Sequence, residues 1–284
     1  MRSTATLLAN PFEGISQHLS HSQVSMFDKC QLAWWLKYVK GIQKPPTVHM
    51  LLGQSYHAAL AHNFNQKTVT GVDLPVKDVI QRFHSTFEQA VREGRVAPVS
   101  GNDYDSYRDP VAKLLAHYYR EYVKDRMEPL LVEHELTIPV PGIDRQFVGI
   151  IDLQMSDGRM IDFKISSRKW QDSEITENRQ ATAYAMLYGI DIDFEFHIGL
   201  RGLKNPAIQI LRMRRTQDDV DAYIRHLQGV VAKMKELEAD NTDPVPYTGF
   251  CSEKMCQYYQ ECRDWNYGRE IETEPAWAEV TEAA

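Results

Sequence analysis

Hydrophobic positions change their period along the chain, and that change separates helical from extended stretches. Over 19–39 the apolar residues follow helical spacing, behind the N-cap candidates Ser20 and Ser22 and with a break expected near Cys30. Helical spacing returns over 48–65, 77–93 and 107–127, the last ending before Pro129. Between the last two, the Gly-, Pro-, Ser- and Asp-rich stretch 94–106 reads as a loop. Residues 130–140 alternate like a strand and turn at Pro141-Gly142. The apolar runs 147–153 and 160–165 flank the turn signal Ser156-Asp157-Gly158-Arg159 and predict a β-hairpin. A helix carrying Gln180, Tyr184 and Tyr188 follows, bounded by Asn178 and Gly189. Two further strands are expected at 194–200 and 207–213, before a long helix capped by Thr216-Gln217-Asp218-Asp219 and running to about Ala239. The composite is an α/β fold, a mixed β-sheet flanked by helices.

Polar residues interrupt the hairpin where a plain core strand would stay apolar. Asp152 sits in its first run, Asp162 and Lys164 in its second. Residues two apart share a strand face, so Asp162 and Lys164 project together and Phe163 points the other way. Gln180 and Tyr184, four apart, share a helix face. Two carboxylates, an ammonium and two polar helical side chains can thus meet at one spot, here expected on one edge of the sheet. Mg²⁺ and Mn²⁺ prefer such carboxylate oxygens, and a neighbouring lysine can stabilise charge developing on a phosphodiester. A bare Asp-x-Lys is also what an ordinary ion pair on an exposed strand looks like.

Taken together, Gly149-Ile150-Ile151-Asp152, Ile161-Asp162-Phe163-Lys164 and Gln180-x-x-x-Tyr184 resemble, in order and spacing, the motifs of the PD-(D/E)xK nuclease superfamily. The likeness is to its RecB-like branch, which includes CRISPR-associated and phage exonucleases, and it spans about residues 20–265. The resemblance implies a restriction-endonuclease-like sheet core and a metal-dependent DNA exonuclease serving recombination, repair or phage DNA processing. It implies Mg²⁺ or Mn²⁺ held by His57, Asp152, Asp162 and the backbone carbonyl of Phe163, with Lys164, Gln180 and Tyr184 completing the catalytic set. His57 alone would read as a hydrogen-bonded helix residue. The family's Gly-x-x-x-His motif, matched by Gly53 and His57, sets it apart from His62, His84, His117 and His197. Glu133 and Glu135 share a strand face and offer a further carboxylate, although a solvated face is the commoner reading. The other function class is a non-catalytic DNA-binding or scaffold protein, but Asp152, Asp162 and Lys164 are all present.

Four cysteines add a second signal. Cys251, Cys256 and Cys262 are spaced C-x4-C-x5-C, and Cys30 lies far upstream. Both zinc and an iron–sulfur cluster accept four thiolates. The one-plus-three arrangement resembles the [4Fe–4S] staple of RecB-like exonucleases, which would join the N- and C-terminal segments. The C-x4-C gap departs from the shorter C-x2-C of those proteins and keeps zinc as the alternative.

The net charge of −7 argues against a nucleic-acid partner until its distribution is considered. Glu270, Glu272, Glu274, Glu279 and Glu282 carry five of those charges, leaving −2 on residues 1–269. Arg201, Lys204, Arg212, Arg214 and Arg215 form a run without an acid that could follow a phosphate backbone; a solvated hairpin is the alternative. Trp34, Trp35 and Tyr38 at helical spacing are expected in the core rather than stacked on bases. The domain plan is a flexible 1–18, a nuclease domain over 19–268 that includes the cysteines, and an acidic, disordered tail over 269–284. Single-stranded DNA or DNA with free ends is the expected partner, alongside a recombination or helicase protein. No stretch approaches a membrane span, and the first residues lack a secretory signal, so a cytoplasmic setting is expected.

Overall fold

The computed structural model describes residues 18–247, 249, 251–253 and 255–269. The acidic glutamates at 270–282, and 1–17 of the N-terminal stretch, lie outside the described residues. The chain opens with β1 (His18–Ser20), α1 (His21–Lys29), α2 (Gln31–Tyr38), α3 (Val48–Thr70), α4 (Val76–Arg92) and α5 (Asp105–Tyr118). It continues through β2 (Pro129–Pro139), β3 (Gln146–Met155), β4 (Met160–Ser166), α6 (Asp172–Thr176) and α7 (Arg179–Tyr188). It closes with β5 (Phe194–Leu200), β6 (Ile208–Met213), α8 (Gln217–Glu238) and α9 (Tyr259–Asn266). The sheet is mixed, ordered β1-β3-β4-β5-β6, with β2 also paired to β3. β1 and β3 are parallel, as are β4 and β5, whereas β3–β4 and β5–β6 are antiparallel.

Among the described residues two compact units emerge, one drawn from 18–43, 136–149 and 218–269, the other from 44–135 and 150–217. In the second, α4 shows why the helices form: Val79, Phe83, Phe87 and Ala90 recur at three- and four-residue steps and are all buried. They pack with Leu52, Tyr56, Leu60 and Phe64 of α3 and with Leu153, Ile161 and Phe163 of the sheet. Each such aromatic side chain stabilises by about 2–3 kcal/mol on burial. On β5, a Cβ at Gly199 would stand 2.6 Å from Leu114 of α5, so that helix can approach the strand only over glycine.

In the first unit, Ser20 caps α1, its Oγ accepting from Gln23 N, and the expected break falls on Cys30. Cys30 is extended (φ −161°, ψ 106°) and caps α2 in turn, its Sγ accepting from Ala33 N at 3.4 Å. Trp34 and Trp35 are buried, as core aromatics. Trp35 packs on Trp265 of α9 at 4.9 Å.

Two boundaries differ from the pattern, and two short helices lie outside it. α3 runs on to Thr70, where Gly71 in the left-handed region (φ 73°) ends it. α5 stops at Tyr118, because a wider turn over Tyr119–Val123 brings Tyr119 and Val123 into the core beside Tyr118. The short helices α6 and α9 bury no side chain fully and leave no apolar period to read.

β5 is buried along its whole length yet carries two ionisable residues. Glu195 Oε2 accepts from His197 Nε2 at 2.8 Å, Tyr118 OH donates to His197 Nδ1 at 2.6 Å, and Arg212 Nε donates to Glu195 Oε1 at 2.7 Å. Burial pulls the His197 pKa down, which keeps the ring neutral with its proton on Nε2. Burial alone would raise the Glu195 carboxyl, but His197 and Arg159 outweigh it and hold it at about 2. A carboxylate depressed in this way stabilises the fold above its unfolded pKa of about 4.3, and that stability is lost as pH falls towards 2. Glu195→Gln should cost about 2 kcal/mol at neutral pH. It should also flatten urea-unfolding stability between about pH 4.3 and 2; an unchanged acid slope would refute the assignment.

Candidate active site

The site forms where the central hairpin comes apart. Pairing of β3 with β4 covers only Leu153↔Ile161 and Gln154↔Met160, whereas β4 stays paired to β5 from Met160 to Ser166. Phe163 therefore loses its backbone partners on the β3 side, and side chains replace them. Asp152 Oδ2 accepts from Phe163 N at 2.8 Å, and His57 Nε2 lies 2.7 Å from Phe163 O. His57 reaches in from α3, its Nδ1 at 3.2 Å from Asp152 Oδ1. The expectation of a site on a sheet edge is thus corrected: β4 lies inside the sheet, and the split between β3 and β4 creates the opening.

Asp162 and Lys164 do share a face, with Lys164 Nζ 2.5 Å from Asp162 Oδ2. This is no exposed surface pair, since Asp162 is only 1% exposed. The Phe163 ring points away and stacks on Phe64, 6.1 Å between centroids. From α7, Gln180 Nε2 donates to Asp162 Oδ1 at 2.6 Å, and Tyr184 OH donates to Ile150 O at 2.5 Å. Asn178 makes this reach possible by capping α7, its Oδ1 accepting from Ala181 N. The helix thereby ties to both diverging strands, to β3 through Ile150 and to β4 through Asp162.

Two carboxylates face two cationic side chains here. Burial drives the Asp162 carboxyl up, and the charge of Asp152 adds to it against the pull of Lys164, leaving it at about 6. Burial would raise Asp152 too, but the charge and hydrogen bond of His57 hold it low. Burial would lower His57; the charges of Asp152 and Asp162 overcome that and raise it. A protonated ring, donating from both nitrogens to Asp152 and to Phe163 O, accounts for the geometry. Asp162 Oδ2 is buried without a well-formed hydrogen bond. That oxygen, which only Lys164 Nζ contacts, the Asp152 carboxylate, the Phe163 carbonyl and a deprotonated His57 fit the oxygen-rich shell of Mg²⁺ or Mn²⁺. Among the described residues, no group of three or more His, Cys, Asp or Glu is gathered as a metal site as it stands. At the hairpin, His57 bridges to Phe163 and Lys164 sits on Asp162 instead.

Other candidates fall less squarely on this site. Arg212 and Arg214 pair with Glu195 and Asp193, and Arg215 donates to the carbonyls of Ile175 and Asn178. Of the basic run, these three have intramolecular work, while Lys204 is exposed. Glu133 and Glu135 are exposed, but partial desolvation and the charge of Asp152 push the Glu133 carboxyl up. Sequence reasoning passed over His197; the alternating Glu195-Phe196-His197 inside an apolar strand was the signal available.

In the first unit, Cys30, Cys251, Cys256 and Cys262 all carry free thiols and line one cavity of about 220 Å³. Burial and the neighbouring cysteines push the thiols of Cys256 and Cys262 up. The termini are not joined by a disulfide or by a formed cysteine cluster among the described residues. Proximity within one cavity is what the fold provides.

Among the described residues no helix is long and apolar enough to cross a membrane. No curated protein matches the chain. Among solved structures, a protein from Eubacterium rectale named as a candidate exonuclease is similar over 100% of both chains, at 12% identity and a TM-score of 0.63. A protein described as SSO0001 is similar over 66% of this chain and 85% of its own, at 13% identity and a TM-score of only 0.33. The first of these likenesses shows the fold alone. The family model of the PD-(D/E)XK nuclease superfamily matches residues 18–263, almost all of the described chain. With the hairpin, its two aspartates and its lysine on the same strands that the motifs indicate, the chain belongs to the PD-(D/E)XK nuclease superfamily.

Proposed function

We propose that the protein is a metal-dependent deoxyribonuclease of the RecB-like branch, acting as an exonuclease in DNA recombination, repair or phage DNA processing. The observation that carries this reading is the convergence of His57, Asp152, Asp162, Lys164 and the Phe163 carbonyl at the split in the sheet. Mg²⁺ or Mn²⁺ held by His57, Asp152, Asp162 and that carbonyl would neutralise phosphate charge and lower the pKa of a water. Lys164 Nζ then orients the attacking water and stabilises the negative charge as the water oxygen bonds to phosphorus. The bond from phosphorus to the sugar oxygen breaks; the proton released by the water passes to solvent and the departing oxygen takes one up from solvent, leaving a terminal phosphate and a sugar hydroxyl. Gln180 keeps Asp162 Oδ2 directed into the opening by holding Oδ1, and Tyr184 holds Ile150 and so the strand bearing Asp152. The name of the Eubacterium rectale protein accords with an exonuclease. Of the run Arg201, Lys204, Arg212, Arg214 and Arg215, the first two are the cations offered to the DNA backbone, the other three being engaged within the fold.

Digestion of end-blocked and open single- and double-stranded DNA, with Mg²⁺, Mn²⁺ or chelator, tests this. Metal-dependent loss of open-ended DNA alone supports an exonuclease. DNA binding without cleavage under either metal would leave the non-catalytic reading in its place.

We further propose that Cys30, Cys251, Cys256 and Cys262 hold a [4Fe–4S] cluster, with zinc as the alternative; their shared cavity supports this. Ligand binding that joins the start and end of the chain adds directly to folding stability. Cys256→Ala should lose bound iron, melt at lower temperature and become protease-sensitive near both ends. One zinc per colourless chain would replace the cluster by a zinc staple, and a variant as stable as the parent would refute the staple.

A further inference from the structure

A second cavity in the first unit, about 490 Å³, is lined by Lys29, Arg225 and Lys233. Three cations facing one space stand out in a chain whose net charge is −7. The single carboxylate in the lining, Asp28, is already engaged by His226, Oδ2 to Nε2 at 2.8 Å. Arg225, Gly229 and Lys233 recur every fourth residue on α8 and so share a face, with the glycine between the two cations. Glycine in the interior of a helix weakens it relative to alanine, and packing does not explain this one. A Cβ at Gly229 would meet no atom within 4 Å, so the residue leaves the helix backbone open to the cavity. The opposite wall is held in place: Leu32 N donates to Val245 O at 3.3 Å, Val245 N to Gln31 Oε1 at 3.2 Å, and Tyr247 N to Cys30 Sγ at 3.3 Å. Tyr247 lines this wall, its ring against Gly249 and the side chain 47% exposed, and aromatic side chains of this kind are stacking platforms for bases.

We propose that this cavity is a nucleotide-phosphate site, in which Arg225, Lys233 and Lys29 hold a phosphate over Gly229 and Tyr247 stacks on the attached base. Cationic donors on a phosphate give strong, charge-assisted hydrogen bonds, and the volume suits one nucleotide. A free nucleotide and one residue of a DNA strand offer the same chemistry. The site does not depend on the nuclease reading, and a chelator keeps cleavage out of its test.

The full-length protein in chelator would be titrated with thymidine 5′-monophosphate and with a 5′-phosphorylated thymidine hexamer. Binding of both assigns free nucleotides as ligands, and binding of the hexamer alone assigns a strand. In either case the double variant Arg225→Ala/Lys233→Ala should weaken binding by about tenfold or more and make the hexamer less salt-sensitive. Gly229→Leu should block the site while the melting temperature holds or rises, a combination that a structural glycine would not give. Gly229→Ala, milder still, guards against a misfolded leucine variant. Failure of the parent to bind either probe, or unchanged affinity in folded double and glycine variants, would overturn the proposal.

Discussion

Asp152→Asn should lower DNA cleavage by about a thousandfold, equivalent to about 4 kcal/mol of lost transition-state stabilisation, and should abolish calorimetric Mn²⁺ binding. Asparagine is the informative change because Asp152 has two tasks. Its Oδ2 accepts from Phe163 N where the strand ladder has opened, and its charge sustains His57. The amide keeps an oxygen for Phe163 and discards the charge. Asp152→Ala should be equally inactive but would leave that backbone donor unpaired, at a further cost of about 1–3 kcal/mol in stability. With His57 as a ligand, Mn²⁺ binding would release a proton from its ring, so the binding heat should vary with the ionisation enthalpy of the buffer and affinity should fall in acid. Unchanged Mn²⁺ affinity in Asp152→Asn would remove this residue from the metal site.

Lys164→Ala should lower turnover by about a hundredfold or more, while DNA affinity changes little, because one lysine is a small part of the total phosphate contact. The variant has a second signature. Lys164 is the main influence opposing burial at Asp162, whose carboxyl stands at about 6. Without the ammonium that pKa rises further, so the residual activity should lose its acid limb at a higher pH than the parent's. A pH–rate profile in Mg²⁺ measures this. Parent-like turnover would reduce the Asp162–Lys164 contact to an ion pair with no catalytic part. A tenfold loss with no displacement of the acid limb would separate the lysine from Asp162.

These effects follow from one break in one hairpin, and that break was only partly legible in the chain. The alternation of Asp162, Phe163 and Lys164 fixed which side chains share a face, because strand periodicity is a backbone property that neighbours cannot change. The four-residue spacing of Gln180 and Tyr184 and the cap at Asn178 likewise predicted a helix with both side chains on one face. The apolar runs located β3 to β6, and Cys30 was identified as the helix break. Other features depend on long-range contacts. Whether β4 lies at the sheet's edge or inside it depends on which strands pair, and the parallel partner β5 comes from beyond α7. His57 meets Asp152 across 95 residues of sequence, a contact that helical periodicity within α3 cannot encode. Burial of Glu195 and His197 together depended on Tyr118 arriving from α5 and arginines from neighbouring segments. The sequence by itself determined the elements and the chemistry that each face carries, since both are local. Tertiary structure alone decided that β3 and β4 diverge after Ile161, because only the packing of α3 and α7 into that gap supplies partners for the backbone groups it exposes.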